Sequence, residues 1–315
     1  MIKTLGLGAL LAGSLALSAP AAMATEFINV LTGGTSGVYY PLGVALSDIY
    51  AQNIPDAKTQ VQSTKASVEN LNLLQQGRGE IGFALGDSVK DAYEGNADVG
   101  FTKPLTKLRA IAAIYPNYIQ IAATAASGAK TVTDLKGMKV SVGAAKSGTE
   151  VNARKILGAL GMSYDDLGKV EYLPFAESVE LMKNRQLDAT LQSSGLGSAA
   201  LKDLSSTQDV TYVSVPPEVA EKLGAPYAAG TIPAGTYPGQ EADIPTLTIT
   251  NILVTSSDVS DDLAYQMTKL LFEHLDQMKA AHAAAGAIDI ANAVKNSPIP
   301  MHPGAIKYYK EKGLM

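Results

Sequence analysis

Two long extended runs, far apart in the chain, restrict its fold more than any other feature. They are LRAIAAIYPNYIQIAATAAS, Leu108–Ser127, and TLTITNILVTSS, Thr246–Ser257. Before the first run the segments alternate. FINVL, Phe27–Leu31, reads as a buried strand, and Leu42, Ala45, Leu46 and Ile49 then fall at helical spacing. Pro41 cannot donate to a previous turn, so that helix starts shortly before it. TQVQST reads as a strand, Ser67 as the N-cap of a helix carrying Val68, Leu71 and Leu74 and closed by Gly77, and IGFALGD as a strand ending at a turn. Between the long runs lies a second alternating set: the strand MKVSVGA, a helix Glu150–Leu160, the strand KVEYLPF, a helix Glu177–Asn184 and the strand DATLQSS. A β-α-β-α-β order predicts a parallel sheet with helices on its faces. Two such sets joined by two long extended segments predict an α/β chain with two lobes and a pair of crossover strands.

Two stretches follow different rules. Pro216–Pro245 is rich in proline and glycine and reads as irregular. After the second run, Ser260 with Asp261 and Asp262 has the N-cap and charge pattern of a helix start. Leu263, Met267, Leu270, Leu271 and Met278 form one apolar stripe, predicting a single helix as far as His282.

The first residues bear on where the chain works. Lys3, an apolar block from Leu5 to Leu17 and the closing Ala22-Met23-Ala24 make a secretory signal peptide over residues 1–24, cleaved after Ala24. No later apolar run is long enough to cross a bilayer. The chain has no cysteine, so a lipoprotein anchor, disulfides and thiolate metal sites are excluded. A periplasmic protein stabilised by its core alone is expected. The net charge of -5 without basic runs argues against nucleic acid as a partner.

In parallel sheets, ligands sit beyond the carboxyl ends of the strands. GGTSG, STKAS and GDS follow three strands of the first set and should lie close together. The second set has its own glycine-rich turn, GAAKSGTEV, Gly143–Val151. Ser147 and Glu150 have the spacing of a capping box, so a well-capped helix explains this turn. The same geometry also suits an anion, because helix N-termini expose N–H groups and Ser147 and Thr149 add hydroxyls. Thr149 stands where a nucleotide-binding P-loop needs lysine. The histidines lack metal-ligand spacing, and His274 falls on the apolar stripe as a packed core residue. No G-x-S-x-G elbow occurs, and no acidic pair is set up for hydrolysis. An enzyme, a metal site and a cofactor are all unsupported.

Taken together in order, the motifs resemble a known family, the TAXI-type solute receptors of TRAP transporters. The resemblance rests on GGTSGVYYPLG, QSTKASVENLNLL, IGFALGD followed by AYEG, LRAIAAIYPN, TDLKGMKVSVGAAKSGTE, LDATLQSSGLG and PIPMHPGAIKYYKEKG. It implies a two-lobed periplasmic binding fold of type II, with the ligand cleft between lobes. Residues 25–122 and 250–315 would form one lobe and 123–249 the other. It implies a monomer that delivers a small carboxylate to a fused or two-part membrane permease. A periplasmic sensor presenting its bound form to a signalling receptor would share the same site.

The resemblance also implies site residues. Thr35, Ser36 and Gly37 would offer backbone and hydroxyl donors, and Tyr39 and Tyr40 phenol donors or an aromatic wall. Ser63, Thr64 and Asp87 end strands of the same lobe. Ser147, Gly148 and Thr149 would close onto the ligand carboxylate, with Gln192, Ser193, Ser194 and Gly195 on the opposite side and Tyr115 at the crossover. Three positions depart from the family pattern: Lys65 where glycine is frequent, Leu85 where glutamine is frequent, and Asn117 where glutamate is frequent. A lysine gained and a carboxylate lost favour further negative charge on the ligand. A dicarboxylate such as glutamate, 2-oxoglutarate or a hydroxy analogue is expected, with Lys65 either recognising its distal charge or remaining a solvated loop lysine.

Overall fold

A computed structural model describes residues 26–295 and 297–315; the expected signal peptide lies outside the described residues. The strands are β1 (Phe27–Leu31), β2 (Lys58–Gln62), β3 (Ile81–Leu85), β4 (Leu108–Thr124), β5 (Lys139–Ser141), β6 (Lys169–Glu171), β7 (Ala189–Ser194), β8 (Val210–Val213), β9 (Tyr227–Ile232) and β10 (Ile244–Ser256). The helices are α1 (Tyr39–Asn53), α2 (Ser67–Gln75), α3 (Gly86–Glu94), α4 (Gly148–Ala159), α5 (Phe175–Lys183), α6 (Ala199–Thr207), α7 (Glu218–Leu223), α8 (Asp261–Glu273), α9 (Leu275–Ala281), α10 (Ile290–Ala293) and α11 (Pro303–Glu311). The main strand order is β2-β1-β3-β10-β4-β7-β5-β6. The first trio and the β6-β5-β7 trio are parallel, and β10 and β4 enter between them antiparallel.

The two long strands pass from one apolar core to another. Leu108–Tyr115 of β4 and Ile252–Val254 of β10 supply buried side chains to a first core built around β1, β3, α1 and α8. Farther along, Ile119 and Ile121 of β4 and Leu247 and Ile249 of β10 enter a second core with Val140, Ile156 and Leu191. A third cluster, around Val179, Met182, Leu201 and Tyr237, covers the other face of the second half. This is the expected two-lobed α/β architecture with two crossover strands.

The crossing itself is irregular. Pro116 sits within β4 opposite Thr250, and the next paired residues are Ala113 and Ile252, so Ile114 and Tyr115 face the single residue Asn251. Proline donates no hydrogen bond, and a bulge leaves ladder groups unpaired. Asn251 Nδ2 fills one gap by donating to the Tyr115 carbonyl at 3.0 Å.

Several local expectations change. Ser67 is the first residue of α2 rather than its N-cap; Ala66 precedes it at a φ of 68°. The Ser67 hydroxyl instead accepts the Leu85 N–H at 3.1 Å. IGFALGD does not end in a turn, because α3 begins at Gly86 directly after β3. The stretch expected to be irregular contains α7 and β9, which pairs with β10 from Ile232↔Ile244 to Tyr227↔Ile249. Most of β9 is exposed between its buried ends, so YAAGTI carries no apolar alternation to read. The long helix after Ser260 is two helices, broken at His274. His274 is only half-buried there, not a core residue. The buried histidine is His302, which N-caps α11 by accepting the Gly304 N–H at 3.2 Å through Nδ1. Its Nε2–H then donates to the Val259 carbonyl at 3.0 Å.

Gly304 lets α11 lie directly on α8. A β-carbon there would stand 2.1 Å from the Asp261 carbonyl and 2.7 Å from the Tyr265 nitrogen. Gly304→Ala should therefore lower stability by about 1–3 kcal/mol in urea unfolding, as overpacking against backbone does. An unchanged midpoint would mean that the α8–α11 contact is loose.

Candidate ligand-binding site

Between the lobes lies a cavity of about 320 Å³. Its walls are the segments that leave the carboxyl ends of the strands. Gly33–Tyr39 follow β1, Ser63–Ser67 follow β2, and Leu85 ends β3. From the second half come Ala144 and Ser147–Thr149 after β5, Pro174–Glu177 after β6, and Ser193–Gly195 at the end of β7. Asn117 of β4 lines it where the crossover strand changes cores.

Four helices begin at these walls: α1, α2, α4 and α5. The N-cap residues of α1, α2 and α5 are Val38, Ala66 and Pro174, none of which makes a side-chain cap hydrogen bond. At α4 the Ser147 hydroxyl accepts the Glu150 N–H at 3.1 Å, but the carboxylate of Glu150 does not reach back. It binds Arg154 Nε at 2.7 Å and Tyr164 at 3.0 Å. The capping box is thus half made, and Ser147 both caps α4 and lines the cavity. First-turn N–H groups of a helix have no intrahelical acceptor and carry partial positive charge. Four such termini around one cavity create a field that favours a small anion. The charged residues among the lining side chains are Lys65 and Glu177, both largely exposed. Among the described residues there is no cluster of metal-ligating side chains.

Most of the expected residues line this cavity: Thr35, Ser36, Gly37, Tyr39, Ser63, Thr64, Lys65, Ser147, Gly148, Thr149, Ser193, Ser194 and Gly195. Four do not. Tyr40 is one residue further round α1 than Tyr39, about 100° away, and turns from the cavity. Asp87 is buried in the first turn of α3 and faces α4. Tyr115 packs in the first core, and Gln192 is fully buried beneath the wall. Tyr39 also differs in role, because its hydroxyl proton goes to Asn251 Oδ1 at 2.5 Å and not to a ligand. Burial pushes its phenol far above the usual value, so that proton stays in place.

A continuous hydrogen-bond chain links the cavity wall to the contact between lobes. Asn251 Nδ2 lies 3.4 Å from Asn117 Oδ1, Asn117 Nδ2 donates to Ser193 Oγ at 2.6 Å, and Ser193 Oγ donates to Asn152 Oδ1 at 2.7 Å. Asn152 Nδ2 donates to Asp87 at 2.9 Å, and Tyr227 donates to the same carboxylate at 2.6 Å. Lys155 of α4 lies 3.3 Å from Asp87 and 2.6 Å from Asp91 of α3. Burial alone would lower the pKa of Lys155, but the two carboxylates outweigh it and the net shift is upward. The missing cavity role of Asp87 is thereby explained: it holds α3 to α4 behind the cavity.

The sequence pattern of the NMT1-like family matches residues 30–313. The chain belongs to the NMT1-like family. Solved structures show how widely its fold is shared. PhnD1 from Prochlorococcus marinus, solved with methylphosphonate, is 10% identical with a TM-score of 0.57, over 93% of this chain and 100% of that one. A putative L-cystine ABC transporter protein from Listeria monocytogenes is 14% identical with a TM-score of 0.53, over 84% and 98%. The ligand-binding component of an ABC-type import system from Staphylococcus aureus is 10% identical with a TM-score of 0.50, over 92% and 93%. This NMT1-like chain shares the fold of those three proteins. Among its described residues no helix is long and apolar enough to cross a membrane.

Sequence reasoning about this NMT1-like site missed Val38, Ala66, Ser67, Ala144 and the Pro174–Glu177 wall. The last was within reach. LPFAE follows the strand KVEY as GGTSG follows FINVL, so strand-end logic applies to it equally.

Gly148 is the tightest point between the walls. A β-carbon there would lie 2.6 Å from Ser67 Oγ, 2.7 Å from Leu85 Cδ1 and 2.9 Å from Ser67 Cβ. Gly148→Ala should hold the N-terminus of α4 away from α2 and weaken ligand binding roughly five- to a hundredfold, the equivalent of one overpacked contact. Calorimetric titration beside a thermal melt checks this. Full affinity in the variant would show that the walls need not approach so closely.

Proposed function

We propose that this protein is a periplasmic solute receptor of a TRAP-type transporter, of the TAXI type, exported through a cleaved signal peptide and acting as a monomer. It captures a small carboxylate, favouring a dicarboxylate such as glutamate or 2-oxoglutarate, and delivers it to a fused or two-part membrane permease. Residues 25–122 and 250–315 form one lobe and 123–249 the other. The division is supported by the exchange of cores along β4 and β10, which puts the first crossing near Asn117.

The observation that carries this reading is the convergence of four helix N-termini on one inter-lobe cavity without an arginine. A carboxylate there is held by N–H groups and by the hydroxyls of Ser147 and Thr149. Lys65 leaves the wall that follows β2, across the cavity from Ser147 and Thr149, and supplies the one lysine ammonium among the lining residues, suited to a distal carboxylate. Its own N–H is held by Glu69 Oε2 at 2.7 Å, which fixes the backbone and leaves the ammonium to a ligand.

A thermal-shift screen of ligand-stripped protein against small mono- and dicarboxylates tests the ligand class. A true ligand at a hundredfold excess over its Kd stabilises the fold by about 2.7 kcal/mol. A screen in which no carboxylate raises the melting temperature would remove this reading. Lys65→Gly then tests the second charge. A charged hydrogen bond of about 1.5–3 kcal/mol corresponds to a loss of roughly ten- to a hundredfold for dicarboxylates. Monocarboxylates should be little affected, and equal losses for both classes would show that Lys65 does not select the ligand.

A further inference from the structure

The proline- and glycine-rich stretch Pro216–Pro245 reaches the cavity from behind. Its Tyr237 is buried, and its ring stacks on Tyr212 of β8 with centroids 5.0 Å apart and planes 12° apart. A turn built on Gln240 presents it. Gln240 Nε2 donates to the carbonyls of Pro233 at 2.9 Å and Ala242 at 2.8 Å, and its Oε1 accepts the Tyr237 N–H at 3.3 Å.

The Tyr237 hydroxyl accepts the Gly197 N–H at 3.0 Å and donates to Gln120 Oε1 at 2.5 Å. Both directions are fixed. A backbone N–H can only donate, and Gln120 Nε2 is held by two groups that can only accept, the carbonyls of Ser194 at 2.9 Å and Gly195 at 3.3 Å. Burial pushes the Tyr237 phenol up to about 12, so its proton stays in place through the neutral range. Gln120, on β4, is fully buried. One tyrosine and one amide thus hold three backbone groups of a single segment, Ser194–Gly197.

That segment is where the second half meets the first. Ser194 and Gly195 line the cavity. A β-carbon on Gly195 would stand 3.1 Å from Tyr115, 3.2 Å from Ala284 and 3.3 Å from Val38, all three in the first core or packed on it. Just beyond the segment the Ala200 N–H donates to the Ser36 carbonyl at 3.2 Å, and Ser36 lies on the facing wall. The carbonyls of Ser194 and Gly195 are turned towards buried Gln120. A trans peptide sets its N–H opposite its carbonyl, so the same bond aims the Gly195 N–H away from Gln120. A wall already held in place costs less entropy to order when a ligand binds.

We infer that Gln120 and Tyr237 are positioning residues for ligand binding, holding Ser194–Gly197 in the form that meets both the ligand and the facing wall. This rests on the reading of the cavity as the ligand site and adds the residues that shape it from outside.

Calorimetric titration of ligand-stripped protein with L-glutamate and 2-oxoglutarate tests the inference. Tyr237→Phe keeps the stack on Tyr212 and removes both hydrogen bonds of the hydroxyl. It should weaken binding of whichever acid the wild type takes roughly three- to tenfold, the worth of about one hydrogen bond. Gln120→Met removes the amide at similar volume and should do the same. Ser205→Ala is the control. It deletes a partner 2.9 Å from the Tyr212 hydroxyl, in the same aromatic stack, without touching Ser194–Gly197, and should keep affinity within about twofold of wild type. Full affinity in either of the first two variants, or an equal loss in Ser205→Ala, overturns the inference, since the cluster then only stabilises the fold. Hydrogen exchange without ligand is a second arm. The amides of Gly195 and Leu196, which the Tyr237 hydroxyl does not itself bind, should exchange at least about threefold faster in Tyr237→Phe and not in Ser205→Ala. Unchanged exchange in Tyr237→Phe overturns the inference. If the wild type binds neither acid, the dicarboxylate reading falls and the exchange arm decides the inference alone.

Discussion

The pairing of β4 with β10 is the constraint on which the rest of the molecule depends. These strands are the continuous backbone between the two main cores, and each feeds apolar side chains to both. Their bulge places Asn251 opposite Tyr115 at the level of the cavity. From there a chain of amides and hydroxyls leads through Asn117, Ser193 and Asn152 to Asp87. A buried polar group without a partner is costly, so each link fixes the orientation of the next. The chain ends at the Asp87–Lys155–Asp91 cluster, where α3 of one half meets α4 of the other. Geometry at the cavity wall and contact between the lobes are therefore parts of one network.

The cavity's chemistry follows from topology more than from charged side chains. In a parallel sheet every strand points its carboxyl end, and the following helix its N-terminus, towards the same edge. Two parallel trios, joined in one sheet by the antiparallel β4 and β10, bring four helix starts around one small volume. The field there favours negative charge without a guanidinium. That arrangement leaves Lys65 and Glu177, at the exposed margin, to adjust which anion fits.

The sequence carried the parts of this that depend on local pattern. Both crossover strands, the strand-helix alternation and the turns GGTSG, STKAS and SGT were legible because periodicity and turn residues are local signals. Side-chain direction was not. Asp87 follows a strand as a cleft residue would, but α3 starts at once and carries its carboxylate back to α4. Tyr39 and Tyr40 are adjacent in sequence, and only the phase of α1 separates the wall residue from the other. The Tyr39 hydroxyl proton goes to Asn251, far away in the chain, so no local pattern reveals where it points. The strand β9 escaped for a different reason, since most of it lies on an exposed edge and buries little of its sequence.

The central claim is that the helix N-termini hold the ligand's carboxylate. Backbone amide resonances report it most directly, because an anion hydrogen-bonded to an N–H shifts that N–H first. In a nitrogen–proton titration with the tightest-binding acid, the amides of Gly148 and Thr149 at the start of α4 and of Val38 and Tyr39 at the start of α1 should shift together and saturate at the calorimetric Kd. Saturable binding that leaves these amides unmoved would contradict the account.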